Sequence, residues 1–326
     1  MGTTTPEPEL VSLPLVSVVI PAYNSERYIV EAVTSALSQS YPNIEILVID
    51  DGSTDRTVEV IQQFADKVKL LQQENQGSAA ARNLGISAAR GKYIAFLDAD
   101  DVWIPQKLQI QIVAMETNGF KMAYSRFIWW HPDANGNHPS AVEETALQNN
   151  LNISSAALVT GWPYPELLLD CIVWTSTVIV EKAELEAVGK FDSNYRKGQD
   201  YDLWLKLSRR IAMLGLETPT ALYRIHADNI TSNIKAVNYE YVILSSALKR
   251  WSEIGPDGRS PKPGLVRARL ARSAFGHGVA HLRHGLSKIA IESFLLSITH
   301  PRFFIKSLFY LISACFRRLV GTLNDR

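Results

Sequence analysis

Three carboxylates, Asp98, Asp100 and Asp101, crowd into one short stretch directly behind the apolar run 93–97. Like charges this close repel one another, so acids kept together call for a compensating cation. Donors that are all oxygen favour magnesium or manganese over zinc. A second pair, Asp50 and Asp51, follows the apolar run 44–49 in the same way. Asp101 also has a plainer reading, because it precedes Val-Trp-Ile-Pro105 and an acid there caps a helix. One acid suffices for a cap, and the others still need a reason.

Strands must deliver these acids. The run 93–97 is apolar, with aromatic and β-branched members, as in a strand covered on both faces. Upstream, 15–20 reads as a strand stopped by Pro21, and 25–39 as an amphipathic helix. Then come a strand over 44–49, a helix over 57–64 with Val58, Ile61 and Phe64 on one side, a strand over 68–71 and an Ala-rich helix over 79–89. Strands alternating with helices specify a parallel sheet with right-handed crossovers. In such sheets ligands bind beyond the carboxyl ends of the strands, where both sets of acids lie. No G-x-G-x-x-G follows the first strand and no G-x-x-x-x-G-K-[ST] occurs, so the dinucleotide and P-loop readings lose their main support. A pocket that offers carboxylates in place of amide cradles must neutralise phosphate through a metal. The expected ligand is a metal-bridged diphosphate.

The bulk properties narrow the class. The chain has 326 residues, room for one large α/β domain and an appendage. Lys plus Arg and Asp plus Glu both number 33, and this balance, without aromatic-basic interleaving, gives no nucleic-acid signature. Only Cys171 and Cys315 occur, which makes a disulfide framework implausible and a reducing, cytoplasmic setting the default. Residues 1–14 are short, polar and Pro-containing, a flexible tail and not a signal peptide.

Four motifs in order, Ser17-Val-Val-Ile-Pro-Ala-Tyr-Asn24, Ile46-Leu-Val-Ile-Asp-Asp-Gly-Ser-Thr-Asp55, Gln76-Gly-Ser-Ala-Ala-Ala-Arg-Asn83 and Phe96-Leu-Asp-Ala-Asp-Asp101, resemble those of the family 2 glycosyltransferases with the GT-A fold. The resemblance implies inverting transfer of a sugar from a nucleotide diphosphate donor, UDP-linked by preference, to a saccharide or lipid-linked acceptor in cell-surface polysaccharide or glycolipid synthesis. It implies that Pro21 and Tyr23 line the base and ribose pocket and that a carboxylate of the Asp50-Asp51 pair, Asp51 by preference, accepts from the base. Asp98 then reaches the ribose side, Asp100 ligates Mn2+ or Mg2+, and Gln76, Gly77 and Arg82 sit near the sugar and diphosphate. Taken singly, the same residues have quieter roles: Pro21 as a strand terminator, Asp51 or Asp55 as turn or cap, Tyr23 as a packed aromatic and Arg82 as a surface ion-pair partner.

The second half supplies the acceptor side. The stretch 121–130 has strand character, 131–152 is polar and loop-like, 171–180 returns to strand character and 181–188 reads as a helix. In Gly198-Gln-Asp200-Tyr-Asp202-Leu-Trp204 the acids fall in the first turn of a helix whose Leu203, Trp204 and Leu207 share a face. This stretch resembles the family's acceptor-side motif, which implies Asp200 as the catalytic base, while Gln199 stands where the family often has Glu. Asp202 is read as structural, Trp204 as core, and Trp174 as a candidate sugar platform. Tyr223-Arg-Ile-His226 resembles the context in which the family places a further metal or diphosphate contact, His226 here.

The expected architecture is α/β: a GT-A domain over 15–235, with a nucleotide-binding half at 15–115 and an acceptor half at 116–235, then a helical region at 236–326. In that last region 303–320 is apolar and flanked by Lys306, Arg317 and Arg318, too short a run to span a bilayer and suited to lying on the inner face of the plasma membrane or packing on the domain. Two rival functions have their own sequence marks. A sugar nucleotidyltransferase would carry a Gly- and Arg-rich phosphate loop where Pro21-Ala-Tyr-Asn24 stands, and a non-catalytic nucleotide-sugar-binding or membrane scaffold would have lost its acids.

Overall fold

The computed structural model describes residues 13–140, 153–155, 157–226 and 235–324. The expected tail is largely outside them, as is most of the 131–152 loop. The chain forms β1 (Val16–Ala22), α1 (Ile29–Leu37), β2 (Ile44–Asp50), α2 (Thr57–Gln62), β3 (Lys69–Gln72), α3 (Ser78–Ala88), β4 (Tyr93–Phe96), β5 (Val102–Trp103), α4 (Lys107–Asn118), β6 (Met122–Ser125) and β7 (Ile128–Trp130). There follow α5 (Tyr164–Leu167), a 3-10 turn (Thr175–Thr177), β8 (Ile179–Glu181), α6 (Lys182–Ala187), α7 (Gln199–Ser208), β9 (Leu214–Leu216) and β10 (Ala221–Arg224). Four helices close the chain: α8 (Tyr239–Trp251), α9 (Leu265–Arg283), α10 (Ser287–Ser297) and α11 (Phe304–Asn324).

The main sheet runs β3-β2-β1-β4-β8-β6-β9, and β5-β10-β7 form a second, small sheet. The nucleotide-side strands β3, β2, β1 and β4 are all parallel, and β8 is antiparallel to both β4 and β6. Alternate residues of each inner strand feed opposite cores. Val19, Leu47, Ile49, Ile94 and Phe96 pack with α3 and α7 on one face, while Val18, Ile20, Ile46, Val48 and Ala95 pack with α1 and α4 on the other. This two-sided burial is why the strands read as continuous apolar runs.

Several local expectations are corrected. Pro21 does not end the first strand but pairs with Ile49 within it. The even residues of β1 bond to β2, as in Asp51 N–H to Ala22 O, and the odd ones face β4, as in Leu97 N–H to Val19 O. Pro21 points to the β4 side after that strand has ended, so its missing N–H is not needed. Helix α1 begins at Ile29, not at Ser25. The single strand expected over 121–130 is two strands in different sheets, and 171–180 is mostly irregular chain around the 3-10 turn. Asp101 caps no helix: it leads into β5, and α4 begins only at Lys107. Within the carboxyl-terminal helices, Ile243, Leu244 and Ala247 of α8 and Val266 of α9 belong to the larger core. A distinct small core, Leu282, Ala290, Phe294 and Ala314, joins α9, α10 and α11.

Candidate active site

Two loops at the carboxyl ends of β1 and β2 are locked together. Ser53 Oγ accepts from Asn24 N at 2.9 Å, Asn24 Oδ1 accepts from Thr54 N at 2.8 Å, and Thr57 Oγ1 accepts from Ser25 N at 2.7 Å. Asp55 accepts from Glu26 N at 3.1 Å and from Thr57 N at 2.9 Å. Burial pushes the Asp55 carboxyl up, but these hydrogen bonds outweigh it and leave it below its ordinary value. The lock holds Tyr23 on a fixed loop with its side chain half exposed, while Pro21 is buried beneath it.

The Asp50-Asp51 pair divides its work. Asp51 is buried and its oxygens take three donors: Gln73 Nε2 at 2.7 Å, Gln76 N at 2.9 Å and Gly77 N at 2.8 Å. It therefore shapes the loop that enters α3. Among the described residues the Asp50 carboxylate receives Ser53 N alone, at 3.3 and 3.4 Å. Gly52 between them and the loop has φ +75, and a Cβ there would stand 2.9 Å from Asn75 N, so only glycine lets the two loops close.

Beyond β4 the three acids separate by role. Asp98 Oδ1 receives Arg82 Nη2 at 2.6 Å, so Arg82, buried on α3, pairs with an acid of the site rather than with one on the surface. Asp100 Oδ2 lies 2.9 Å from His226 Nε2. Asp101 is buried, accepting from Ser176 Oγ at 2.6 Å and Arg224 N at 3.1 Å. Burial raises the Asp98 carboxyl above its ordinary value; Arg82 opposes the rise, and Asp100 and Asp200 add to it. Burial, then Asp100 and Asp98, push Asp101 well up against the hydrogen bonds from Ser176 and Arg224.

Asp200 arrives from a hundred residues away. It sits in the first turn of α7, where the helix dipole favours a carboxylate, and Thr175 Oγ1 donates to its Oδ2 at 3.3 Å. The 3-10 turn is the hub, because Ser176 also accepts Asp98 N at 3.1 Å while donating to Asp101. From beneath, buried Lys107 and Gln111 bond the Thr177 carbonyl at 3.3 and 2.7 Å. Burial holds the Lys107 amine well below its ordinary value. Arg224 completes the floor: its Nε donates to Asp100 O at 2.7 Å, its Nη2 to Glu31 at 2.9 Å, and its guanidinium lies 3.9 Å from the Trp130 ring centre.

Nothing in the sequence singles out the hub residues Thr175 and Ser176 or the role of Arg224. The only signal was a Thr-Ser-Thr run behind Trp174, which reads equally well as strand. Gln199 is buried and donates to Ser78 Oγ at 2.6 Å, tying α7 to α3. Asp202 pairs with Lys206 at 2.6 Å and Trp204 is fully buried, both in structural roles. Trp174 stands in a cluster of rings with Phe127, Trp129 and Tyr223, 4.6 to 5.7 Å apart, beside the hub.

The residues present suit a hard divalent ion. A carboxylate and an imidazole already meet at Asp100 and His226, beside Asp98 and Asp101, whose carboxyls burial and their acidic neighbours raise. Among the described residues no group of three or more His, Cys, Asp and Glu is gathered as a cage. Two protein ligands, with the remainder left to phosphate and water, is the usual arrangement for magnesium at a substrate diphosphate.

Residues 17–161 match the model of glycosyl transferase family 2. A glucosyltransferase of Escherichia coli, named UDP-Glc:alpha-D-GlcNAc-diphosphoundecaprenol beta-1,3-glucosyltransferase WfaP, is 34% identical over 222 residues, 67% of this chain and 80% of that one. The chain belongs to glycosyl transferase family 2. An uncharacterized glycosyltransferase of Rickettsia bellii is also 34% identical over 219 residues, 66% of this chain but only 29% of the relative, so the chain spans under a third of that longer protein. Among solved structures, S. aureus TarS 1-349 in complex with UDP-GlcNAc superposes with a TM-score of 0.61 at 17% identity, covering 96% of this chain and 92% of that one. The mannosyltransferase PcManGT of Pyrobaculum calidifontis, in complex with GDP-Man and Mn2+, gives 0.55 at 16%, covering 94% and 87%. At such identities the likeness shows the GT-A fold. The family match ends at 161, so Asp200 and His226 lie beyond it, and the fold brings them to the motif that the match contains.

Proposed function

We propose that this chain is an inverting glycosyltransferase that moves a sugar from a UDP-sugar to a hydroxyl of a lipid-linked saccharide. One observation carries the reading. The Thr175–Thr177 turn ties Asp200 on α7 to Asp98 and Asp101 behind β4, so one acid from the acceptor half faces the acids of the donor half.

In this reading Tyr23 and Pro21 take the base, with an acid of the Asp50-Asp51 pair beside it. Asp51 is engaged with Gln76 and Gly77, so its contribution is to hold that loop under the nucleotide, and Asp50 carries the more lightly bonded carboxylate. Asp98, held by Arg82, meets the ribose side. Asp100 and His226 are the residues that would hold Mn2+ or Mg2+, which when bound supplies Lewis-acid stabilisation for the departing diphosphate. Asp200 takes the acceptor hydroxyl proton as the new oxygen–carbon bond forms on the face opposite the breaking bond to phosphate. The nucleotide diphosphate leaves with the bonding electrons, and the anomeric configuration inverts.

The choice of UDP and of a lipid-linked acceptor is supported by WfaP, whose name specifies UDP-Glc and a diphosphoundecaprenol-linked GlcNAc. A cytoplasmic, membrane-peripheral setting goes with it, Cys171 and Cys315 being free thiols. The test is a screen of UDP-sugars with manganese and a GlcNAc-diphospholipid acceptor, with proton NMR of the product. A β-linked product from an α-linked donor is expected, and Asp200→Asn should cut kcat by about 10²–10⁴-fold with UDP affinity unchanged. Transfer by that variant at near wild-type rate would remove Asp200 as the base.

A further inference from the structure

We propose that α11 is a docking surface for anionic lipid, carried as a rigid part of the enzyme. The helix has two unlike faces. Ser307, Tyr310, Leu311 and Ala314 turn inward onto α9 and α10, where Ser307 Oγ lies 2.7 Å from Ser297 Oγ and Ala314 joins Phe294 and Leu282 in the small core. On the opposite side Ile305, Phe309, Ile312, Phe316 and Leu319 are 79%, 69%, 62%, 67% and 64% exposed. At the helical repeat these five fall within about 80° of arc, one continuous apolar stripe. Leu295 and Leu296, at the end of α10 just before the turn into α11, are exposed as well.

The charges choose the occupant. From Ser293 through Asn324 the sequence contains no acid, while Arg302, Lys306, Arg317 and Arg318 are all exposed. The stripe has the 4-3 spacing of a coiled-coil seam, so a second copy is the natural rival. Two such helices, parallel or antiparallel, would set cations against cations with no acid at the flanks to answer them. A surface of anionic headgroups answers Arg302 and Lys306 at the start of the helix while the rings and branched chains enter the acyl boundary; Arg317 instead donates to Leu282 O at 3.3 Å, and Arg318 lies on the side of the helix away from the stripe. No helix among the described residues is long and apolar enough to cross a membrane, so the helix would lie in the interface.

The dock is joined firmly to the catalytic core. Gly278 of α9 faces Phe294 of α10 so closely that a Cβ would stand 2.7 Å from the ring. Buried Arg269 of the same α9 donates to Leu167 O and Tyr201 Oη, both at 2.9 Å, and Tyr201 directly follows Asp200. Seating α11 on a bilayer would therefore hold the acceptor side in a set relation to that surface.

The experiment is co-flotation of the full chain with phosphatidylcholine vesicles and with vesicles containing phosphatidylglycerol. The chain should float with the anionic vesicles at least about tenfold more tightly than with the neutral ones, less so at high salt. Phe309→Glu with Phe316→Glu, and separately Arg302→Glu with Lys306→Glu, should abolish flotation with an unchanged circular dichroism melt, these side chains being exposed. Failure of the wild type to float with anionic vesicles, or equal binding to neutral ones, overturns the proposal. So does a stable dimer in lipid-free buffer by light scattering that the Phe309→Glu, Phe316→Glu variant dissolves. None of these readouts depends on sugar transfer.

Discussion

At the residue scale the site is an arithmetic of charge. Asp98, Asp100, Asp101 and Asp200 come together beside two buried arginines, Arg82 on the Asp98 carboxylate and Arg224 on Asp101 Oδ1 and Asp100 O, and burial more than any neighbour raises Asp98 and Asp101. Asp100 is the proposed metal ligand, with His226 Nε2 2.9 Å from its Oδ2. Loss of an outer partner of a metal ligand costs about 10–100-fold in metal affinity, and loss of the ligand should cost no less. Calorimetry of UDP with manganese present should therefore show Asp100→Ala at least about tenfold weaker than wild type. Unchanged affinity would assign the metal elsewhere.

At the element scale, positions are held by close approach of helix to sheet. Gly85 lets α3 settle onto β1 and β2: a Cβ there would stand 2.5 Å from Val19 Cγ1 and 2.8 Å from Ile49 Cδ1. Those branched side chains sit in a filled core and have little room to yield. Gly85→Ala should destabilise by about 1–3 kcal/mol in urea unfolding, although alanine is the better helix former. Because α3 also carries Arg82, the same variant should weaken UDP binding. A stabilised Gly85→Ala protein would mean that the helix can shift.

A second element-scale device ties the chain after β10 to α9. The His277 and His281 rings both reach the Lys235 carbonyl, at 2.9 and 3.0 Å, and His277 Nδ1 lies 2.9 Å from Ser293 Oγ. Burial, with the neighbouring His281 adding to it, holds His277 below its ordinary value of 6.5 against the pull of the Lys235 carbonyl. A base whose folded value is depressed contributes stability that is complete above 6.5 and is lost as pH falls through the lower folded value. The melting temperature should therefore drop on acidification below that point, and His277→Asn should flatten the drop. A wild-type and variant pair with parallel pH profiles would rule the residue out.

At the scale of the whole molecule, the nucleotide half could be read from the sequence because its signals are local. Each inner strand is an apolar run, each helix an amphipathic one, and the acids follow the strands directly, so a parallel sheet with acids at its carboxyl ends was expected and is found. The acceptor half was read less well. The stretch 171–180 has strand-like residues but spends them on the 3-10 turn, since the hydroxyls of Thr175 and Ser176 bond side chains and backbone far along the chain rather than a neighbouring strand. The run 121–130 is divided between two sheets at Arg126-Phe127, which no periodicity marks.

The sequence by itself determined the element alternation, the placement of Asp50, Asp51, Asp98 and Asp100 at strand ends, and the family. These rest on residue type and short spacing, which act along the chain. Only the tertiary structure decided that Arg82 belongs to Asp98, that Asp101 supports the site instead of capping a helix, and that a threonine-serine turn joins Asp200 to the donor side. It also decided which face of α11 is covered. Those are pairings across tens to hundreds of residues, chosen by burial, because a charge or hydroxyl taken from water must find its partner wherever the packed chain brings one.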